Sequence, residues 1–378
     1  MPDQIALGAP TFGEEEIDAV RDVLSSGWVA GQGPRVQQFE AAFADHCGAA
    51  HAIAVNNCTA ALHLALLALG AGEGDEVIVA DYTFPATGHS VMFTGAEPVF
   101  ADVDPVTFCV DVETVASLIG PRTVGVIAVD VVGQCADYAP LRALTREHRL
   151  FLVQDAACSA GATYQGRPSG HPDLADVACF SLHGRKGITC GEGGVVTTSD
   201  ATLADTVRRL GAFGIESARA RAGRDELAVP VFADLGFNYK LSDIAAAIAT
   251  VQLGRLPELL AARRRTAARY GDAFAGVDGV QVPQVGADRD HSWQSYLLTV
   301  NPDLSRDRIA LAMRREGIGA NIGTYASHLQ PVYGGRKPCP VSADIFARHL
   351  AVPMHANLAD SDVERVVAAV ARAIQENP

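Results

Sequence analysis

Apolar segments of strand length alternate with helical segments between residues 51 and 153, and this order restricts the fold more than any other feature. The pattern predicts strands at His51–Val55, Glu76–Ala80, Glu97–Ala101, Thr123–Asp130 and Leu150–Val153. It predicts helices between them at Thr59–Leu69, Pro85–Phe93, Val112–Leu118 and Ala139–His148. Such alternation is typical of a mostly parallel sheet that is covered by helices on both faces. Ligands bind to these sheets beyond the carboxyl ends of the strands.

The rest of the chain predicts a second, smaller body. Strands are expected at Val280–Val282 and Ser295–Val300, and helices at Arg306–Glu316 and Asp362–Ile374. A chain of 378 residues is long enough for two domains. We place a large domain at residues 1–250 and a small C-terminal α/β domain at residues 251–378. The arginines at 263, 264 and 265 are expected on the solvated face of a long helix, and residues 216–229 are a candidate mobile loop.

Composition excludes several classes of protein. A net charge of −14 argues against general nucleic-acid binding, which needs a basic face. The content of 48% hydrophobic and 20% charged residues is typical of a folded globular protein. Residues such as His63 and Glu73 interrupt the apolar runs before they reach the length of a membrane span. Because the start, Met1–Gln4, also lacks the basic region of a signal peptide, we expect a cytoplasmic protein without a membrane partner.

The cysteines give no sign of a metal site. The chain has eight of them, and they form no CxxC pair and no His-rich ligand spacing. Reduced and mostly buried thiols are the better explanation for a cytosolic protein. We therefore expect no bound metal.

Two residues indicate the chemistry of the protein. Lys186 lies between Gly184 and Gly187, just after an apolar run, and burial beside strands would lower the pKa of its amine and make it nucleophilic. A nucleophilic lysine can bind a carbonyl cofactor covalently. Asp155 follows the apolar run Phe151–Val153, at the end of the predicted strand. A carboxylate at this position can pair with a pyridinium nitrogen. Together they indicate a pyridoxal-phosphate enzyme, although alone Asp155 could be a helix cap and Lys186 a solvated loop residue.

A phosphate site is predicted at residues 57–59. Asn57-Cys58-Thr59 connects a predicted strand to a predicted helix, so backbone N–H groups and the Thr59 hydroxyl could bind a phosphate at the helix N-terminus. Asn57 or Thr59 could instead simply cap the helix. The two roles are compatible with each other.

Five blocks in this order resemble the DegT/DnrJ/EryC1/StrS sugar aminotransferases, which are pyridoxal-phosphate enzymes of fold type I. The blocks are Asn57–Ala60, Asp81–Phe84, Asp155–Ala157, Phe180–Gly194 and Gly236–Lys240. The similarity extends from near Gly27 to Pro331, nearly the whole chain. It implies an aspartate-aminotransferase-like α/β fold, pyridoxal 5′-phosphate as the cofactor, and Lys186 and Asp155 as the catalytic residues.

The resemblance also implies roles for further residues around the cofactor. Ser181 matches a second phosphate-binding hydroxyl, and Phe84 matches an aromatic residue that stacks on the cofactor ring, although core packing is the simpler role for a phenylalanine. Cys158 is a ring neighbour where many relatives carry Gln or His. Asn238 would reach the cofactor phosphate of a neighbouring subunit, so a homodimer with shared active sites is expected. With Asn57, Cys58 and Thr59, these residues complete the expected cofactor site.

On the substrate side the resemblance points to Lys240, Tyr325 and His328. Lys240 stands where Arg is commoner, so it keeps the charge but loses the bidentate fork. The implied reaction passes an amino group from glutamate or glutamine to a keto-sugar nucleotide. A keto-cyclitol substrate and a non-catalytic binding protein remain alternatives. A dehydratase is disfavoured, because sugar dehydratases of this family replace the lysine with His.

Overall fold

The structure is a computed structural model that describes residues 4–215, 229 and 231–376. In chain order the strands are β1 His51–Val55, β2 Glu76–Ala80, β3 Tyr82–Thr83, β4 Glu97–Ala101, β5 Thr123–Val129, β6 Phe151–Asp155, β7 Thr163–Tyr164, β8 Arg167–Pro168, β9 Val177–Ser181, β10 Gly194–Thr198, β11 Val280–Gln281, β12 Arg289–Asp290, β13 Tyr296–Val300, β14 Asn321–Ile322, β15 Tyr325–Ala326 and β16 His349–Val352. The helices are α1 Glu14–Ser26, α2 Pro34–Cys47, α3 Cys58–Ala68, α4 Ala86–Phe93, α5 Val112–Leu118, α6 Tyr138–His148, α7 Ala201–Gly211, α8 Asp243–Phe274, α9 Arg306–Arg315, α10 Pro340–Arg348 and α11 Asp360–Glu376.

A central sheet of seven strands organises the large part of the molecule. The strand order is β1-β10-β9-β6-β5-β2-β4. Strand β10 runs antiparallel to β1 and β9, whereas β9, β6, β5, β2 and β4 pair in parallel. The mostly parallel sheet predicted from the alternation is therefore confirmed, and β1, β2, β4, β5 and β6 lie within a few residues of their predicted bounds.

The sheet is buried on both faces because its strands carry apolar residues at successive positions. Side chains alternate between the two faces of a strand. Ile78 and Leu152 accordingly pack into one apolar cluster, whereas their neighbours Val79 and Val153 pack into another on the opposite face. Helices cover both clusters, which leaves the carboxyl ends of the strands as the accessible edge.

The long helix α8 packs one face into the core of the protein. It packs against α1 and α2, and Leu256 and Leu260 belong to a buried apolar cluster with residues of β9. In the described part of the chain it is long and apolar enough to cross a membrane by length and composition alone, which corrects the expectation that no segment reaches that length. Buried polar residues along it, Asp243 and Gln252, contact neighbouring segments of the same protein.

One arginine of the predicted solvated run is buried. Arg264 and Arg265 are exposed, as expected, but Arg263 is only 3% exposed. Its Nη1 atom donates to the carbonyl oxygens of Trp293, Gln294 and Met354. The prediction for Arg263 is therefore wrong, because charge alone does not say which helix face meets the rest of the protein.

The C-terminal part contains an antiparallel sheet in the order β11-β13-β16-β14. Helices α9 and α11 cover it, and Met313 and Val366 belong to the resulting core. The strands predicted near residues 280 and 295 are confirmed. The predicted division at residues 250 and 251 stays a prediction, and that position lies inside α8. Residues 216–228 of the predicted mobile loop lie outside the described residues.

Short strands connect the two parts beside the edge of the central sheet. Strand β3 pairs with β15, so that Thr83 lies opposite Tyr325 and Tyr82 lies opposite Ala326. A second small sheet joins β12 to β7 and β8. Neither set was predicted, because two-residue strands carry no periodicity and depend on partners far away in the sequence.

Candidate active site

A cleft with a volume of about 760 Å³ opens at the carboxyl ends of the central strands. Most of the predicted cofactor residues line it: Asn57, Cys58, Thr59, Phe84, Asp155, Cys158, Ser181 and Lys186. Its other wall comes from the C-terminal part, through residues such as Asn321 and Thr324. The cleft thus lies where ligands bind to parallel α/β sheets. The cleft is not lined by four of the predicted site residues, namely Asn238, Lys240, Tyr325 and His328.

Asp155 is the last residue of β6 and its side chain is buried facing the cleft. Its Oδ2 atom accepts a hydrogen bond from the Thr87 hydroxyl at 2.8 Å, and its Oδ1 atom accepts from the backbone N–H of Ala157 at 3.2 Å. Burial raises the pKa of Asp155, while these hydrogen bonds and the charge of Lys186 oppose the rise. Since turns and not a helix follow Asp155, the helix-cap alternative is wrong. A buried carboxylate of this kind is stabilised by a cationic partner in the cleft.

Lys186 lies on a bend beyond β9, and its Nζ atom is 3.2 Å from the Sγ atom of Cys158. Burial lowers the pKa of Lys186, but Cys158, Cys58 and Asp155 together raise it above its usual value. The predicted lowering is therefore wrong for the chain without cofactor, because burial brings the amine next to acidic groups as well as away from water. The amine must lose a proton before it can attack a carbonyl carbon.

Helix α3 begins at the cleft and presents its N-terminus to it. The Asn57 side chain accepts a hydrogen bond from the backbone N–H of Ala60 at 2.8 Å, so Asn57 caps the helix as the simpler alternative proposed. The backbone N–H groups at the start of a helix have no acceptor within the helix and carry a partial positive charge. Capping by Asn57 therefore leaves a site for a phosphate beside Cys58 and Thr59.

Ser181 reaches the same edge of the sheet because of the strand register. Gly194 of β10 lies between Val55 of β1 and Ser181 of β9. A Cβ atom on Gly194 would come within 2.5 Å of the backbone of Asn57, so only a glycine lets β10 pass so close to the start of α3. The Ser181 hydroxyl thereby lies on the edge of the sheet from which α3 begins, and it accepts from the His183 N–H at 3.3 Å.

Phe84 is exposed in the cleft, with 62% of its surface accessible. Its ring meets that of Tyr325 edge-to-face, with centroids 6.0 Å apart. Core packing is therefore not its role, and its ring face is available for a flat ligand. Tyr325, on β15 opposite Thr83, does not line the cleft itself but contacts the Phe84 ring that does.

His328 is buried away from the cleft. Its Nδ1 atom lies 2.7 Å from Oδ2 of Asp81, and its backbone N–H donates to Oδ1 of the same carboxylate. Burial raises the pKa of Asp81, and the contacts with His328 oppose that rise. The Sγ atom of Cys339 lies within 4.8 Å of the ligand atoms of Asp81 and His328, a spacing that could hold a metal ion. The Asp81 oxygens, however, already accept the hydrogen bonds from His328. The geometry gives His328 a role in joining the Ser327–Leu329 turn to the segment after β2; substrate contact stays a prediction.

Asn238 is exposed and Lys240 is half-buried, and neither residue lines the cleft. The Lys240 ammonium donates to Oδ1 of Asn238 and lies 4.0 Å from the centre of the Phe213 ring. Burial lowers the pKa of Lys240. Isolated bridges from Asn238 to Ala212 and from Lys240 to Val55 hold this segment beside β1.

Sequence reasoning missed two threonines beside the candidate catalytic carboxylate, of which one contacts it directly. Thr87 donates to Asp155, and Thr83 lies 2.9 Å from Thr87 between their hydroxyl oxygens. Both threonines line the cleft. No local pattern could have indicated them, because Thr83 ends β3 and Thr87 is in α4, and their hydrogen bonds lead to a distant strand.

The fold and the cleft together define a pyridoxal-phosphate-dependent enzyme of fold type I, with a lysine and a strand-end aspartate lining one cleft. The chain belongs to the DegT/DnrJ/EryC1/StrS aminotransferase family, whose family model matches residues 10–371.

Individual relatives agree with this assignment. The chain is 38% identical over 372 residues to GDP-perosamine synthase from Caulobacter vibrioides, with 97% of each chain covered. It is similar to the solved structure of the aminotransferase TlmJ from Streptoalloteichus hindustanus, with a TM-score of 0.92, 33% identity and 99% of each chain covered. It is also similar to Spr1654 from Streptococcus pneumoniae, described as a sugar aminotransferase and solved in its PLP form, with a TM-score of 0.91, 27% identity and 99% of each chain covered.

The predicted family, fold, cofactor and reaction class are thus confirmed: the protein is a pyridoxal-phosphate-dependent aminotransferase of amino-sugar biosynthesis. The residues present fit the cofactor. The Lys186 amine faces the cleft, and the buried Asp155 carboxylate has a cleft-facing side for a ring nitrogen. The start of α3 and Ser181 provide donors for a phosphate on the same edge of the sheet.

Proposed function

We propose that this enzyme transfers an amino group from glutamate or glutamine to a keto-sugar carried on a nucleoside diphosphate. The observation that carries the proposal is the second wall of the cleft. Beyond the cofactor residues it presents neutral hydrogen-bonding side chains, Gln294, Asn321 and Thr324, which suit the hydroxyl groups of a sugar. The relative named GDP-perosamine synthase, similar over 97% of the chain, supports a nucleotide-linked substrate.

A cation at the mouth of the cleft supports the diphosphate. Arg185 is exposed and lines the cleft next to Lys186, and its backbone carbonyl accepts from the Gln294 side chain at 3.2 Å. The guanidinium fork of arginine matches the oxygens of a phosphate group. A cyclitol carries no diphosphate and would not need this residue.

The chain's own residues would divide the chemistry as follows. Pyridoxal phosphate supplies an electron sink for negative charge at the carbon that gains or loses a proton. We assign to Lys186 the covalent attachment of the cofactor and the movement of that proton. Asp155 would hold the positive charge of the ring nitrogen, and Phe84 would pack on the ring. The phosphate would be held by Asn57, Cys58, Thr59 and Ser181, with Cys158 beside the ring.

The active site is proposed to be shared between two chains of a cytoplasmic homodimer. Asn238 is exposed and does not line the cleft of its own chain, which suits a residue that serves a neighbour. Exposed apolar side chains surround this segment, among them Phe213, Phe232 and Leu235, which is 90% exposed. Apolar patches of this kind mark protein interfaces. Lys240 would then face the substrate in the partner's cleft. Tyr325 would face the substrate at the rim of the cleft of its own chain.

A substrate screen tests this proposal. The purified enzyme in its pyridoxamine form is mixed with nucleotide-linked keto-sugars and with keto-cyclitols, and the return of the pyridoxal absorbance is followed. We expect return with a nucleotide-linked keto-sugar and a raised KM for it in the Arg185→Gln variant. Return with a cyclitol alone, unaffected by Arg185→Gln, would replace the nucleotide-sugar assignment. No return with either, in protein that holds its cofactor, would refute both proposed substrate classes.

A further inference from the structure

Two buried threonine hydroxyls form a hydrogen-bonded chain that ends on Asp155. The Thr83 and Thr87 hydroxyl oxygens are 2.9 Å apart, and the Thr87 hydroxyl is 2.8 Å from Oδ2 of Asp155. Thr83 is 2% exposed and Thr87 is 1% exposed. Because burial removes competing water, each hydroxyl depends on these contacts for its hydrogen bonds.

The direction of the hydrogen bonds follows from counting protons. A hydroxyl carries one proton and two lone pairs. Around the Thr87 oxygen lie three others: Oδ2 of Asp155, the Thr83 hydroxyl, and the Phe84 carbonyl at 3.2 Å. An ionised carboxylate is the strongest acceptor of the three, so the Thr87 hydroxyl donates its hydrogen bond to Asp155. Thr83 then donates to Thr87, and both hydroxyls point toward the carboxylate.

We propose that Thr87, supported by Thr83, is a positioning residue that keeps Asp155 ionised and fixed against the cofactor, so that the proton between them stays on the ring nitrogen. A hydrogen bond donated to a carboxylate favours its charged form. Asp155 needs this help because it is buried and because the buried Asp130 carboxylate raises its pKa further, while Lys186 and the Ala157 N–H act in the other direction.

The position of Thr87 ties this support to the ring-stacking residue. Thr87 is in the first turn of α4, and its backbone N–H donates to the Phe84 carbonyl at 3.2 Å. Thr83 and Phe84 are neighbours on the segment that β15 holds in place. The residue proposed to pack on the ring face and the residues proposed to orient its nitrogen partner are therefore parts of one short segment.

The inference rests on the proposed pairing of Asp155 with the ring nitrogen, and the two can be tested apart. The enzyme is loaded with pyridoxal phosphate that is isotopically labelled at the ring nitrogen, and nitrogen NMR reports whether that atom is protonated. A neutral ring nitrogen in the wild-type enzyme would refute the Asp155 pairing itself. A protonated ring nitrogen in the wild type allows the variants to test Thr87.

Thr87→Val keeps the shape of the side chain and removes the hydroxyl, whereas Thr87→Ser keeps the hydroxyl. In Thr87→Val we expect the ring-nitrogen signal to move toward the neutral form and kcat to fall roughly 10- to 100-fold with little change in KM, since hydrogen bonds to charged groups are strong. Thr87→Ser should stay near wild type. Ser90→Ala is the matched control, because this buried hydroxyl is on the same helix but donates to the Thr87 carbonyl instead of to Asp155.

Three outcomes would overturn the inference. The first is a ring nitrogen that stays protonated in Thr87→Val with unchanged kcat. The second is a Thr87→Ser variant as impaired as Thr87→Val, and the third is a Ser90→Ala variant with the same spectral change. If Thr87→Val does not fold, Thr83→Val carries the test, because loss of the hydroxyl that donates to Thr87 should shift the signal in the same direction by a smaller amount. No shift there would equally overturn it.

Discussion

Replacing Gly194 with alanine should weaken cofactor binding while leaving the fold in place. The added Cβ would lie 2.5 Å from both the carbonyl carbon and oxygen of Asn57, and 2.8 Å from the backbone nitrogen of Cys58. These are backbone atoms, so no side-chain rotation relieves the contact. The start of α3 must move away from β10, and this is where the cofactor phosphate is proposed to bind.

The size of the effect follows from the overlap. Extra methyl groups in close-packed regions cost about 1–3 kcal/mol. If this strain is relieved by moving the phosphate site, the cofactor dissociation constant should rise roughly 10- to 100-fold, since each 1.4 kcal/mol is about tenfold. Titration of cofactor-free protein with pyridoxal phosphate, followed by absorbance, measures the constant. Thermal unfolding of the same samples shows whether the fold survives.

A matched control is available in the same segment of the chain. A Cβ atom on Gly184 would meet nothing within 4 Å, and Gly184 has no positive φ angle. Gly184→Ala should therefore bind the cofactor like the wild type. If Gly194→Ala binds with unchanged affinity and unfolds at the wild-type temperature, the steric reasoning is refuted. If it unfolds at a lower temperature but binds with unchanged affinity, the placement of the phosphate at α3 is refuted.

Further predictions concern the catalytic residues and the dimer. Borohydride treatment of the loaded enzyme, followed by peptide mapping, should place the covalent cofactor adduct on Lys186; an adduct elsewhere would remove that assignment. Because the pKa of Lys186 is raised in the cofactor-free chain, the rate of covalent attachment should increase with pH across the neutral and mildly alkaline range, and a flat profile would contradict this. Asp155→Asn should lower kcat by several orders of magnitude, whereas near-normal turnover with bound cofactor would show that the carboxylate is structural. Mixing Lys186→Ala chains with Asn238→Asp chains should restore about a quarter of the wild-type sites if sites are shared, and confirmed heterodimers without activity would exclude sharing.

The sequence indicated most of the large domain because its information is local. Five strands of the central sheet are continuous apolar runs that are bounded by turn residues, so each could be predicted without knowing its partners. Strand β16, His349–Val352, was missed because it follows α10 directly, with no turn residue between Arg348 and His349. Its assignment depends on pairing with β13 and β14, which no local pattern reports.

The candidate site shows the same division. Lys186 and Asp155 could be indicated by residue type and by their place after strands, and the structure brings them to one cleft. The pKa of Lys186 was predicted in the wrong direction, because it depends on Cys158, whose side chain approaches from a different loop. Thr87 was missed for the same reason, since its importance lies in a hydrogen bond to a residue distant in the sequence.

The contacts of Arg263 limit how far the two walls of the cleft can separate when ligands enter. Its guanidinium is buried, which lowers its pKa to about 10, and it holds carbonyl groups of Trp293, Gln294 and Met354 while its Nη2 atom lies 3.5 Å from the Lys186 carbonyl. The Arg263 side chain thus connects the bend that carries Lys186 to the segments that form the opposite wall of the cleft. Moving the two walls apart would leave the buried Met354 carbonyl without this donor, at a cost of about 1–3 kcal/mol, and would also break the contacts to the partly buried carbonyls. We therefore expect the cleft to stay open at a fixed width and to admit cofactor and sugar by movements of rim side chains.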